Sequence, residues 1–349
     1  MTSFLGHEKA LRIFKRSFDK NTLHHAWLLA GPKGIGKAGF AKQAAHFLLD
    51  VHNSINAGPS IHTSFELNEQ SQTAKLLAAR SHPDYRLVQR GGKTDKEEKK
   101  AQEEGVDTLE EHELKRNITI SQIRSLQPLF SSQPSISNYR VVVIDSIDDL
   151  ERSGANALLK NLEEPPRNTV FLLVSHAPER LLPTIRSRCQ ILRFDPLNVD
   201  QMREIISHAA PTLDEDNLQA LIAAGEGSPG RALQYVDAGL AELEKLAQDI
   251  MRTGDRNNKI KSELARKLSL KAAMPSYQAF LARAPSLMAQ HIKMLARNSS
   301  GKQHMDSISH WHEASELAAM ALPKALDSQA VIFRLGSLMA SLAQPDEHA

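Results

Sequence analysis

A short apolar run, Ala26-Trp27-Leu28-Leu29-Ala30, ends in Gly31-Pro32-Lys33-Gly34-Ile35-Gly36-Lys37-Ala38, and a helical pattern with Phe40, Ala44, Phe47 and Leu48 on one side follows. The order is strand, glycine loop, helix. Glycines let backbone N–H groups curl around phosphate oxygens, and the start of the next helix adds a favourable dipole. The spacing Gly, four residues, Gly-Lys over residues 31–37 therefore reads as a phosphate loop built on Gly31, Gly34 and Gly36, with Lys37 neutralising the outer phosphates. A fold containing such a unit is an α/β sheet with helices packed on it.

Other segments fit that frame. Arg86-Leu87-Val88, Arg140-Val141-Val142-Val143-Ile144-Asp145, Val170-Phe171-Leu172-Leu173-Val174 and Gln190-Ile191-Leu192-Arg193-Phe194 have strand character. The second of these is a β-branched, wholly apolar run ending in aspartate, as a central parallel strand requires. Helical spacing covers residues 8–20, a helix over 121–130 capped by Ser121, and residues 153–163 stopped by Pro165-Pro166. Strands alternating with helices predict a parallel sheet covered on both faces. After Pro196 the strand signals fade. Residues 200–209 and 214–224 read as helices, and from about 240 the chain is Leu-, Ala- and Met-rich and helical throughout. Its last helix places Val331, Leu335, Leu338 and Leu342 on one face. Residues 51–80 carry no clear pattern. Residues 91–116 are almost devoid of apolar side chains and read as a solvated, disordered insertion, the other reading being a charged interaction arm.

At 349 residues two or three domains are expected. The net charge of +2 supplies no global field for nucleic acid, so any DNA contact needs a local patch or a partner. Cys189 is the single cysteine, which excludes a disulfide framework and fits a reducing compartment. No run approaches the roughly 18–20 apolar residues of a membrane span. The opening Met1-Thr2-Ser3-Phe4-Leu5-Gly6-His7 lacks the apolar core of a secretion signal. A cytoplasmic protein is expected. The fifteen histidines show no metal-ligand spacing.

Catalysis by a phosphate-loop enzyme needs Ser or Thr after the lysine, because that hydroxyl ligates Mg²⁺. Here the position is Ala38. Asp145, at the end of its strand, can hold the metal shell. The next residue, where a catalytic glutamate would position water, is Ser146. Asp148 and Asp149 come two and three residues late, on the following loop or helix. With both requirements missing, intrinsic hydrolysis is not expected, although Lys37 and the loop backbone can still bind nucleotide. Ser175, ending the next strand, is either a sensor of the terminal phosphate or a plain strand-end cap. Arg186 and Arg188 flank Ser187. A guanidinium there either pairs with acidic surface or projects across a subunit interface into a neighbour's nucleotide.

Several stretches together resemble the delta-prime family of bacterial DNA polymerase III clamp-loader subunits. They are Leu5-Gly6-His7, Leu23-His24-His25-Ala26-Trp27-Leu28-Leu29, the phosphate loop and His82-Pro83-Asp84. Further along come Asn156-Ala157-Leu158-Leu159-Lys160-Asn161-Leu162-Glu163-Glu164-Pro165-Pro166, Leu181-Leu182-Pro183-Thr184-Ile185-Arg186-Ser187-Arg188-Cys189 and Gly227-Ser228-Pro229-Gly230-Arg231-Ala232-Leu233. The resemblance implies an AAA+ P-loop module over residues 1–196, a small helical lid over 197–239 and an all-α collar over 240–349. It implies a hetero-oligomeric, non-motor subunit of the polymerase holoenzyme. Its partners would be gamma/tau motor subunits and a delta subunit, with sliding clamp and primed DNA reached through the complex and no membrane. It also implies that Arg188 is an arginine finger acting in trans and that Arg231 matches a lid arginine that contacts nucleotide. ATP bound without hydrolysis is the expected cofactor. Zinc is not expected, because the four-cysteine module of many relatives has no cysteines here. The alternatives are a gamma/tau-type motor ATPase of the same machine and a free-standing nucleotide-binding regulator.

Overall fold

The computed structural model describes residues 6–50, 65, 70–109, 111–295 and 301–343, which leaves Leu5 and most of 51–69 outside the described residues. The chain divides into two compact units, Met1–Leu197 and Asn198–Ala349.

The first unit is built on strands β1 (Ala26–Ala30), β2 (Tyr85–Val88), β3 (Arg140–Asp145), β4 (Thr169–Ser175) and β5 (Gln190–Arg193). They form one parallel sheet in the order β2-β3-β4-β1-β5. β1 lies inside, hydrogen-bonded to β4 on one side and β5 on the other, so the chain leaves β1 in one direction and returns past it to make β5. In an open α/β sheet, ligands bind beyond the carboxyl ends of the strands at such a switch point. β3 and β4 are buried along almost their whole length, as strands covered on both faces must be.

Alternation along the strands divides the core in two. Trp27, Leu29, Val141, Val143, Val170 and Leu172 face helices α1 (Glu8–Asp19) and α2 (Lys37–Leu49), joined by Leu11, Phe14, Phe40 and Leu48. Ala26, Leu28, Val142, Ile144, Phe171 and Leu173 face the other side. Each strand residue points opposite to its neighbour, so one apolar run serves both layers. α3 (Gln72–Ala78) precedes β2. Asp84, buried just before β2, accepts the backbone N–H groups of Ser135, Ile136 and Ser137 at 2.6, 2.9 and 3.0 Å and fixes the turn that launches β3.

Two expectations are corrected here. Residues 91–116 are folded. α4 (Asp95–Glu103) starts at a capping box in which Thr94 Oγ1 accepts from Glu97 N and Glu97 Oε2 accepts from Thr94 N at 2.7 Å. The acids of its first turn favour the helix dipole. Lys93 N donates to Glu113 O and Lys115 N to Gly91 O, closing the segment's ends into a clasp, and Ala101, Leu109 and Leu114 bury together inside. The apolar residues are few and widely spaced in sequence, but Ala101, Leu109 and Leu114 are brought together in the fold, with Val106 packed against them. The helix expected over 121–130 is two short ones, α5 (Ile120–Arg124) and α6 (Gln127–Phe130), capped by Thr119 rather than Ser121. Pro128 explains the break, since it has no N–H to offer the Arg124 carbonyl one turn earlier. α7 (Arg152–Glu163) and the short α8 (Pro183–Arg186) complete the unit.

The second unit is all-helical: α9 (Val199–Ala209), α10 (Glu215–Gly225), α11 (Pro229–Leu233), α12 (Leu240–Thr253), α13 (Lys259–Leu268), α14 (Met274–Leu295), α15 (Gly301–Ala321) and α16 (Ser328–Ala340). Asn198, Asp214, Ser228 and Asp327 cap four of these helices with side-chain oxygens. Leu243, Ala247 and Ile250 of α12, Leu264 and Leu268 of α13, and Ile332, Leu335 and Met339 of α16 are buried. A Cβ at Gly336 would stand 2.8 Å from the Lys261 stem, so a larger residue there would force that side chain to shift. Among the described residues no helix is long and apolar enough to cross a membrane.

Candidate functional site: the phosphate loop and the Arg188 turn

The loop after β1 is held by its neighbours. Gly31 N donates to Ser175 O of β4, and a Cβ at Gly31 would stand 2.4 Å from Phe194 O. No other residue fits that approach. Gly34 and Gly36 sit at φ 81° and 104°, which glycine adopts without strain. Ile35 is buried between them, and its carbonyl is bonded to His7 Nε2 at 2.8 Å. Burial holds the His7 imidazole below its ordinary pKa, and its Nε2 is the donor, since a carbonyl oxygen can only accept. The sequence pointed to His7 only as part of a signature, and its contact spans 28 positions.

Lys37 opens α2 and is 2% exposed. Its Nζ donates to Gly31 O at 2.7 Å and Pro32 O at 2.5 Å. Burial pushes its pKa down to about 8, against the opposing pull of the Asp145 and Asp148 charges. The left-handed glycines and the helix start suit phosphate oxygens. The same residues do not suit a catalytic magnesium, because Ala38 has no oxygen to offer.

Asp145 ends β3, in register with Val174, and Gln89 Nε2 donates to its Oδ2 at 3.3 Å. Burial, with the Asp145 charge second, pushes the Tyr85 phenol up to about 12. Ser146 is turned away: its Oγ donates to Asp149 Oδ2 at 2.9 Å, and Asp149 also pairs with Arg90 at 3.6 Å. Asp148, on the turn Ile147–Asp149, reaches back to the end of β4. It accepts from Ser175 Oγ at 2.9 Å, His176 N at 2.6 Å and Ala177 N at 3.2 Å. The sequence left Ser175 as sensor or cap, and did not identify Asp148 as its partner. Burial first, and the Lys37 charge next, lower the His176 pKa. Lys37, Asp145, Ser175 and His176 are thus brought together around the loop.

Arg188 lies elsewhere. It sits between α8 and β5, anchored by buried Ile185. Nη2 pairs with Glu163 Oε1 at 2.9 Å, at the end of α7, and Nη1 donates to Thr184 O at 2.9 Å. Its side chain is 34% exposed. The strand register locates it relative to the loop. Ala30, which precedes Gly31, is level with Arg193, whereas Trp27 is level with Gln190. Three strand steps span about 10 Å, and Arg188 comes before Gln190, further toward the amino ends. The chain's own phosphate loop is at the carboxyl ends. Arg186 is exposed. Burial pushes the Cys189 thiol up to about 12, which disfavours the thiolate form.

Arg231 belongs to the second unit, on α11, where Nη1 pairs with Glu226 at 2.8 Å. Among the described residues no group of three His, Cys, Asp or Glu side chains could hold a metal ion.

Comparison with known proteins places these residues in a family. The model described as DNA polymerase III, delta subunit, matches residues 6–198. DNA polymerase III subunit delta' of Pseudomonas aeruginosa is 33% identical over 219 residues, covering 62% of this chain and 57% of that protein. DNA polymerase III subunit tau of Escherichia coli is 29% identical over 244 residues, covering 68% of this chain and 32% of that protein. The chain thus spans about half the length, or less, of these curated relatives. Among solved structures, a DNA polymerase III gamma subunit-related protein from Thermotoga maritima aligns over 95% of this chain and 98% of its own, at 14% identity and a TM-score of 0.43, too distant for comparing site residues. The family match takes in both the phosphate loop and the Arg188 turn, and the chain belongs to the DNA polymerase III delta-subunit family, with curated relatives named subunit delta'.

Proposed function

We propose that this chain is a non-motor clamp-loader subunit that offers Arg188 to the nucleotide of an adjacent motor subunit. It would thereby assist ATP-driven loading of a sliding clamp onto primed DNA. The observation that carries the reading is the position of Arg188: partly exposed, held by Glu163, and at the opposite end of the sheet from the chain's own phosphate loop. An arginine so placed cannot serve its own loop and is free to serve a neighbour's. Its guanidinium would stabilise charge developing on the transferred phosphoryl group, an effect of about 10³–10⁵ in rate.

The chain's own loop is read as a binding site for nucleotide phosphates without hydrolysis, through the backbone of residues 31–37 and Lys37. Residues 197–239 would form a lid carrying Arg231, and 240–349 a collar that assembles with gamma/tau and delta subunits. Similarity to tau raises the motor reading, but Ala38 lacks the metal-ligating hydroxyl and Ser146 faces Asp149.

The test is an assembled complex of this chain with its motor partners. Arg188→Ala should assemble normally and lose single-turnover ATP hydrolysis by at least about 10³ at the site it faces. An unchanged rate in a complete complex overturns the finger role. Robust turnover by the purified chain alone overturns the non-motor reading.

A further inference from the structure

The end of β4 contains three donors that converge on one carboxylate. Ser175 Oγ, His176 N and Ala177 N all donate to Asp148, at 2.9, 2.6 and 3.2 Å. Ser175 is fully buried and abuts the phosphate loop, since its carbonyl accepts Gly31 N. Converging backbone N–H groups of this kind form an anion-accepting concavity. Here the anion is supplied by the chain itself.

We propose that Asp148 occupies the position from which the terminal phosphate of a triphosphate would be read, so that the phosphate loop of this chain selects nucleoside diphosphate over triphosphate. The inference rests on the reading of residues 31–37 as a nucleotide site and adds its specificity. Two arguments support it. First, the hydroxyl that could donate to a third phosphate is already donating to Asp148 Oδ1, and the two neighbouring N–H groups are committed to the same carboxylate. Second, the charge balance is unfavourable. Asp145 and Asp148 both act on Lys37, so the lysine's charge is already partly matched. A third phosphate adds negative charge beside two carboxylates, with no hydroxyl at Ala38 to bring in a metal counter-charge. Like charges a few ångströms apart in a partly buried site repel strongly. The first two phosphates meet no such obstacle, because they lie against the loop backbone and the start of α2.

The competing explanation is that Asp148 only caps the end of β4. Asp148→Asn separates the two, because its one amide oxygen can take the Oδ1 position and still accept from Ser175 Oγ and Ala177 N while the charge is gone, at the loss of the His176 N bond to Oδ2. The experiment is calorimetric titration of the full chain with ADP and with ATP, each with and without magnesium, for the native protein and Asp148→Asn. We expect ADP to bind at least about tenfold tighter than ATP, with little dependence on magnesium. Asp148→Asn should bring ATP to within about threefold of ADP while leaving ADP affinity nearly unchanged. Equal binding of ADP and ATP by the native chain overturns this inference and leaves the nucleotide site standing. So does a preference for ADP that Asp148→Asn does not alter. If neither nucleotide binds to either protein, the nucleotide site and the inference fall together. Equal native affinities overturn the inference even if the variant does not fold.

Discussion

The two ends of one sheet treat their polar side chains in opposite ways. At the carboxyl ends of β1, β3 and β4 the groups bond inward to their own chain. Lys37 donates to the loop carbonyls, Ser146 to Asp149, and Ser175 to Asp148. At the amino end of β5, Arg188 is oriented by a carboxylate and a carbonyl but keeps a third of its side chain in solvent. On the reading proposed above, the first end has closed on itself and the second faces outward. On the same reading, binding a nucleotide and completing another subunit's site would be separated by the length of a strand. A change at one end, such as alanine at position 38, therefore need not disturb the other.

The sharpest way to break this comparison is to disable each end in turn within the assembled complex. Arg188→Ala should reduce single-turnover hydrolysis at the site it faces by at least about 10³. Lys37→Ala should leave that rate within about twofold, because an inward-bonded lysine has no role in a neighbour's transition state. Equal losses from the two variants would mean that the ends are coupled, and the separation would have to be abandoned.

A smaller effect isolates the closed end by pH. The folded-state pKa of Lys37 is about 8, against an ordinary 10.5, so burial makes its charge costly in the folded protein. Between those values the unfolded chain binds more protons, and stability therefore rises with pH through that window. Relative to Lys37→Met, the native protein should gain about 2 kcal/mol between pH 7 and pH 10. Denaturant midpoints at several pH values measure this. Parallel curves for the two proteins would show that the ammonium is solvated rather than buried.

Much of this contrast could be read from the sequence, and the rest depends on contacts it does not display. The phosphate loop announces itself because Gly31, Gly34, Gly36 and Lys37 are adjacent in the chain and each is required by backbone geometry. The strands were readable because residues such as Val141, Val142, Val143 and Ile144 are buried on both faces. Asp148 was visible as an acid that came too late for catalysis. Its bonds to Ser175, His176 and Ala177 span 27 to 29 positions and follow only from the pairing of β3 with β4. The fold of residues 91–116 was hidden for a different reason. Its core is Ala101, Leu109 and Leu114 under a charged shell, and composition averages such a core away. The remoteness of Arg188 from its own loop needed strand direction and register, neither of which periodicity supplies.

The smallest expected effect bears on how the open end is kept in order. Glu163 pairs with Arg188 at 2.9 Å, and both side chains are partly exposed, so the pair contributes only about 0.2–1 kcal/mol to stability. Its value lies in geometry, since holding the guanidinium in one direction preserves the alignment a phosphoryl site needs. Glu163→Gln should therefore lower the rate at the neighbour's site about threefold to fivefold, with unchanged KM and unchanged thermal stability. Added to Arg188→Ala it should cause no further loss, because it acts through that arginine. A rate equal to the native one would make the pair an ordinary solvated contact. A further loss in the double variant would give Glu163 a role of its own, independent of the arginine it touches.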